Sequence, residues 1–93
     1  MKILILNGPN LNLLGEREPS VYGDVSFDQY FTQLKDKFKS VELNYKQSNH
    51  EGELIDALHI ASKKVDAVIF NAAAYTHTSI AIADAVKAIQ IPV

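Results

Sequence analysis

Arg17 and Tyr22 stand five positions apart in the stretch Asn7-Gly8-Pro9-Asn10-Leu11-Asn12-Leu13-Leu14-Gly15-Glu16-Arg17-Glu18-Pro19-Ser20-Val21-Tyr22-Gly23. A phenol with a pKa near 10 is a feeble base at neutral pH, and a neighbouring cation favours its phenolate. Arginine supplies that cation without ever losing its own proton. Lowering the phenol by three units takes about 4 kcal/mol of differential stabilisation, a demand that a closed, desolvated pair can meet. Amide side chains at the start of the stretch can both donate and accept. These groups suit a site that binds a polar small molecule and moves a proton. The plainer reading, an aromatic anchor beside a solvated loop arginine, stays open on these residues alone.

Other candidates are weaker taken singly. Asn71 ends an apolar run, where asparagine is often only a turn former. Asn10 sits in the long stretch, where it could equally bond its own backbone. His77 precedes a helix, whose positive end favours a neutral ring able to bond hydroxyls. Asp84 lies among Ile80, Ala81, Ile82, Ala83, Ala85, Val86, Ala88 and Ile89, and a surface pair with Lys87 is its plain alternative. Glu51, Glu53 and Asp56 read as capping and solvating groups. His50, His59 and His77 show no ligand spacing, and cysteine is absent, so no metal site is expected.

The elements that must hold these groups follow from periodicity. Ile3 to Leu6 is an unbroken apolar run, the mark of a strand covered on both faces of a parallel sheet. A connection of about 18 residues follows it, where a β-to-α turn needs ~2–6; so long a loop at a strand end suggests a lid or clamp. Ser26 and Gln29 have capping-box spacing. Phe27, Tyr30, Phe31, Leu34 and Phe38 then recur as a helical stripe, ending near Lys39-Ser40. Val41 to Lys46 alternates as an outer strand. Ser48 to Gly52 is a turn and cap. Leu54, Ile55, Leu58 and Ala61 mark a second helix that stops near Lys63-Lys64. Ala67 to Phe70 is a second fully apolar strand, and a third helix is expected from Thr78 or Ser79 to Ile89. That last helix is apolar nearly all round, which predicts one face on the sheet and another on a neighbouring subunit.

Strict β-α alternation implies parallel strands and right-handed crossovers: an α/β, doubly wound parallel sheet. With strand order 2-1-3-4-5, the binding crevice lies beyond the carboxyl ends of the first and third strands, where Asn7 and Asn71 sit. Ile91-Pro92-Val93 reads as entry into a fourth strand. Residues 1–93 are therefore expected to be one domain, the amino-terminal two-thirds of a larger one.

Composition narrows the classes. The net charge of −2 with mixed signs forms no basic stripe, giving no support to nucleic-acid or anionic-membrane binding. No apolar run approaches the ~20 residues of a membrane span. The lack of cysteine fits a cytoplasmic location.

Three motifs together resemble the type II 3-dehydroquinases, or 3-dehydroquinate dehydratases: Asn7 to Gly15 with Arg17-Glu18-Pro19 and Tyr22-Gly23; Gln47-Ser48-Asn49-His50-Glu51-Gly52-Glu53-Leu54-Ile55-Asp56; and Asn71-Ala72-Ala73-Ala74-Tyr75-Thr76-His77-Thr78-Ser79. The resemblance runs over the whole chain. It implies a flavodoxin-like fold, assembly as a homo-oligomer (a dodecamer of trimers), and dehydration of 3-dehydroquinate to 3-dehydroshikimate through an enolate, in the shikimate or quinate pathway. No metal or organic cofactor is implied, nor a lysine imine. By the same resemblance Tyr22 is the base and Arg17 its activator, and Asn10 helps hold a water against the enolate oxygen. Asn71 and His77 bind substrate, and Asp84 reaches across a trimer contact. The family continues into a Glu-x-His-(Ile/Leu)-Ser-Asn strand, whose histidine is the general acid, and an arginine-bearing segment. Neither lies within these residues.

Other occupants of such a fold fit less well. A flavin phosphate wants Gly, Ser or Thr donors after the first strand; Gly8-Pro9-Asn10-Leu11 is poor in them, and Pro9 lacks an N–H. A phospho-receiver wants an aspartate where Asn71 stands. Gly8 and Gly15 lie too far apart for a dinucleotide fingerprint. A binding module, or an inactive fragment serving only in assembly, remains the alternative.

Overall fold

The computed structural model describes residues 1–17, 20 and 23–93. Strands β1 (Lys2–Asn7), β2 (Glu42–Gln47) and β3 (Ala67–Asn71) form one parallel sheet in the order β2-β1-β3. Ile3 to Asn7 pair in register with Leu43 to Gln47 on one side and with Ala67 to Asn71 on the other. Beyond β3 the Val68 N–H donates to the Pro92 carbonyl at 2.9 Å. The last residues thus run where a fourth strand would add, in keeping with the expected order.

Helix α1 (Phe27–Lys37) begins at the box read from the sequence: the Gln29 N–H donates to Ser26 Oγ at 3.2 Å, and the Ser26 N–H to Gln29 Oε1 at 3.0 Å. It ends two residues early, because Phe38 leaves helical geometry as its cap. The Phe27 and Phe31 rings lie 4.5 and 5.5 Å from the Tyr45 ring, pinning α1 onto β2. Helix α2 (Glu51–Lys64) matches its expected span. A short helix not expected from periodicity, α3 (Tyr75–Thr78), comes first; Ser79 then takes an extended conformation, and α4 (Ile80–Ala88) starts where the third helix is expected. Ser79 stabilises that start, since its hydroxyl accepts from the Ile82 N–H at 2.9 Å and caps α4.

The core lies on one face of the sheet. Leu6 and Val68 meet Leu54, Ala57, Leu58 and Ala61 of α2 and Ile82 and Ala85 of α4. Leu6, Leu54 and Leu58 are fully buried, each worth about 1.5–3 kcal/mol of transfer free energy. On the other face Ile5 is also buried, so β1 is covered on both sides as expected, but β3 is not. There Ile3, Ile5, Leu43 and Ile69 line an apolar groove of about 200 Å³ with Leu34, Phe38 and Val41, and Ile69 is 58% exposed. The reason is geometric: α1 packs over the β2 side and leaves β3 open on this face. The outer side of α4 is likewise open, with Ile80 87% exposed. Among the described residues no helix is long and apolar enough to cross a membrane.

Candidate active site

Three amides stand in one row across the carboxyl end of the sheet. Asn7 is in register with both Gln47 and Asn71, so residues on three strands converge where the connections diverge. Asn7 is buried, and its Nδ2 donates to Tyr45 Oη at 3.4 Å. Burial pushes the Tyr45 phenol up, against the Asn7 bond that pulls it down, while Asp28 raises it further. Tyr45 is thus held as a neutral hydroxyl.

Past Asn7 the chain turns tightly across β3. The Gly8 N–H donates to the Asn71 carbonyl at 2.8 Å. A Cβ on Gly8 would lie 2.7 Å from the Ala72 carbonyl oxygen, so only glycine lets the backbone pass this close. Asn10 then takes a left-handed conformation (φ 68°, ψ −4°) and starts a 3₁₀ turn over Leu11–Leu13. Asparagine is among the few residues besides glycine that visit this region with ease. Its N–H donates to Asn49 Oδ1 at 3.0 Å. After the turn the Arg17 N–H donates to the Leu13 carbonyl at 3.1 Å.

Opposite this loop, the turn after β3 is shaped by Asn71, whose Oδ1 accepts from the Ala73 N–H at 3.0 Å. Ala73 is also left-handed (φ 53°). Between the two turns lies a cleft of about 180 Å³ lined by Pro9, Asn10, Leu11, Leu14, Arg17, Ala73 and Ala74. The first loop therefore meets the third motif at the crevice expected from the topology. A larger hollow of about 350 Å³ lies toward the other end of the sheet, between Lys2, Glu42 and Asn44 on the strands and Ala57, Ile60 and Lys64 on α2. It holds none of the candidate residues, so position and chemistry favour the smaller cleft.

Of the residues expected to form a site, Asn10 and Arg17 share the cleft, and Asn71 shapes its opposite wall. His77, exposed, precedes α4 as expected, but does so from the last turn of the short helix α3. Asp84 is on the exposed side of α4. Tyr22 lies outside the described residues. Two acids read as solvating groups have defined partners: Ser79 Oγ donates to Glu51 Oε2 at 2.5 Å, and Ser48 Oγ donates to Glu53 Oε2 at 2.6 Å. The bond from Ser48 holds the Glu53 carboxyl below its ordinary range, burial opposes it, and the charges of His50 and Lys46 lower it further.

A parallel sheet in the order 2-1-3, with a long loop after its first strand folding back on the turn after its third, defines a flavodoxin-like α/β protein with its cleft at the topological switch point. The family model for class II dehydroquinases matches residues 1–93, and the chain belongs to that family. It is 63% identical to a 3-dehydroquinate dehydratase of an Exiguobacterium species, covering all of this chain and 64% of that protein. A protein of the fungus Verticillium alfalfae called catabolic 3-dehydroquinase is 50% identical over 98% of this chain and 62% of its own length. The crystal structure of type II dehydroquinase from Butyrivibrio crossotus superposes with a TM-score of 0.89 at 42% identity, covering 96% of this chain and 63% of that one. The chain thus spans a little under two-thirds of the length of these relatives.

Proposed function

We propose that the full-length protein carrying these residues is a hydro-lyase that converts 3-dehydroquinate to 3-dehydroshikimate and water. Membership of the dehydroquinase family supports this reading. The observation that carries it in the fold is the cleft where Asn10 and Arg17 face Ala73 and Ala74 at the carboxyl ends of β1 and β3.

In this reading Tyr22, as phenolate, removes the proton next to the substrate carbonyl. Arg17 stabilises that phenolate without giving up its own proton. The electrons released form an enolate, and Asn10 orients a water against its oxygen. Collapse of the enolate expels the neighbouring hydroxyl as water, once it is protonated by the histidine that the family carries beyond these residues. Asn71 and His77 hold substrate hydroxyls, and Asp84 closes a neighbouring site across a trimer contact. A cytoplasmic homododecamer built of trimers accords with the open, apolar outer side of α4. No cofactor takes part.

The test is to mix the full-length protein with 3-dehydroquinate and follow the ultraviolet absorbance of the conjugated enone. Turnover that survives borohydride treatment is expected, because no lysine imine forms. No new absorbance, with unchanged substrate by NMR, contradicts the reading.

A further inference from the structure

The second motif contributes more than a turn. Asn49 Oδ1 accepts two hydrogen bonds at 3.0 Å, one from the Asn10 N–H and one from Gln47 Nε2. Gln47 Nε2 also lies 3.2 Å from the Gly8 carbonyl oxygen and 3.4 Å from Asn12 Oδ1. The Tyr75 hydroxyl donates to the Asn49 carbonyl at 3.4 Å. The turn after β2 is therefore bonded to the loop after β1 and to α3 at once. It is itself held by the buried Ser48, whose hydroxyl accepts from the His50 N–H at 3.0 Å while donating to Glu53.

These bonds converge on Asn10, a loop residue with a left-handed backbone that lines the cleft of the proposed chemistry. We infer that Gln47 and Asn49 are positioning residues for Asn10: Gln47 orients the Asn49 amide, and Asn49 Oδ1 holds the Asn10 N–H so that Asn10 keeps its place in the lining of the cleft. This rests on the enolate role of Asn10 in the proposed function. The chemistry of the two residues is opposite. Asn49 acts through an oxygen that only accepts, so a carboxylate can replace it. Gln47 acts through a nitrogen that only donates, so a carboxylate in its place would set oxygen against the Gly8 and Asn49 oxygens.

The near-isosteric pair Asn49→Asp and Gln47→Glu separates this role from mere packing, which would treat the two alike. In the full-length protein with 3-dehydroquinate, Asn49→Ala should lower kcat about 10–100-fold with KM little changed, because Asn10 serves the enolate more than the bound substrate. Asn49→Asp should keep kcat within about threefold, whereas Gln47→Glu should lose about tenfold or more. Amide hydrogen exchange of Asn10 by NMR gives a readout independent of turnover: protection should fall in Asn49→Ala and hold in Asn49→Asp. A folded Asn49→Ala with undiminished kcat, or Asn49→Asp as impaired as Asn49→Ala, overturns the inference. If the wild-type protein does not turn over 3-dehydroquinate, the proposed function fails, and unchanged Asn10 exchange in Asn49→Ala then separately refutes the hold by Asn49.

Discussion

Gly8 passes so close to Ala72 that a methyl group on its Cα would sit 2.7 Å from the Ala72 carbonyl oxygen and 2.9 Å from the carbonyl carbon. Both are backbone atoms flanked by the Asn71 turn, so they cannot swing aside as a side chain could. Gly8→Ala is expected to destabilise the full-length protein by about 1–3 kcal/mol in urea denaturation, the usual cost of forcing volume into a packed site. Turnover should fall further than stability suggests, because the loop bearing Asn10 and Arg17 is pushed off the β3 turn. Wild-type stability and rate in Gly8→Ala would show that the two turns are not in register as described.

The bond from Ser79 to Glu51 ties the start of α4 to the start of α2, while the same hydroxyl caps α4 through the Ile82 N–H. Ser79→Ala removes both and should cost about 0.5–2 kcal/mol from the cap alone. A double-mutant cycle with Glu51→Gln separates the two parts. Coupling between the positions is expected, and strict additivity would mean that the Glu51 contact contributes nothing.

Glu53 gives a pH signature. Its carboxyl is held below the ordinary glutamate value, chiefly by the Ser48 hydroxyl. A depressed folded-state pKa adds stability that is fully present above the unfolded value and is lost as pH falls through the folded one. The stability gap between wild type and Ser48→Ala should therefore narrow as pH is lowered through the carboxylate range. Carbon-detected NMR titration of Glu53 checks the cause directly: its pKa should rise in Ser48→Ala. A gap that stays constant with pH would remove Glu53 from the explanation.

Local signals in the sequence carried most of the fold. The Ser26–Gln29 box, the alternation in β2 and the unbroken apolar runs of β1 and β3 each act within a few residues, and each reappears in place. Parallel order then followed from strict alternation of elements. What could not be read depends on residues far apart in the chain. Exposure of Ile69 depends on where α1 stops covering the sheet, and the partners of Glu51 and Asn49 lie 28 and 39 positions away. The start of the last helix at Ser79 was legible, whereas the short helix before it was not, because Tyr75–Thr78 is too brief to show a periodic stripe. In the cleft, Asn10 and Arg17 were legible as chemistry-bearing types. The asparagine pair Asn10–Asn49 carried no local signal beyond membership of two separate motifs.

Phenolate chemistry at Tyr22, driven by Arg17, is the centre of the proposed reaction, and one substitution isolates it. In the full-length protein, enone formation from 3-dehydroquinate by Tyr22→Phe should fall at least about 10³-fold, the scale of a lost proton-transfer group, while calorimetry finds the substrate still bound with near wild-type affinity. Turnover by Tyr22→Phe at the wild-type rate would contradict the assignment outright.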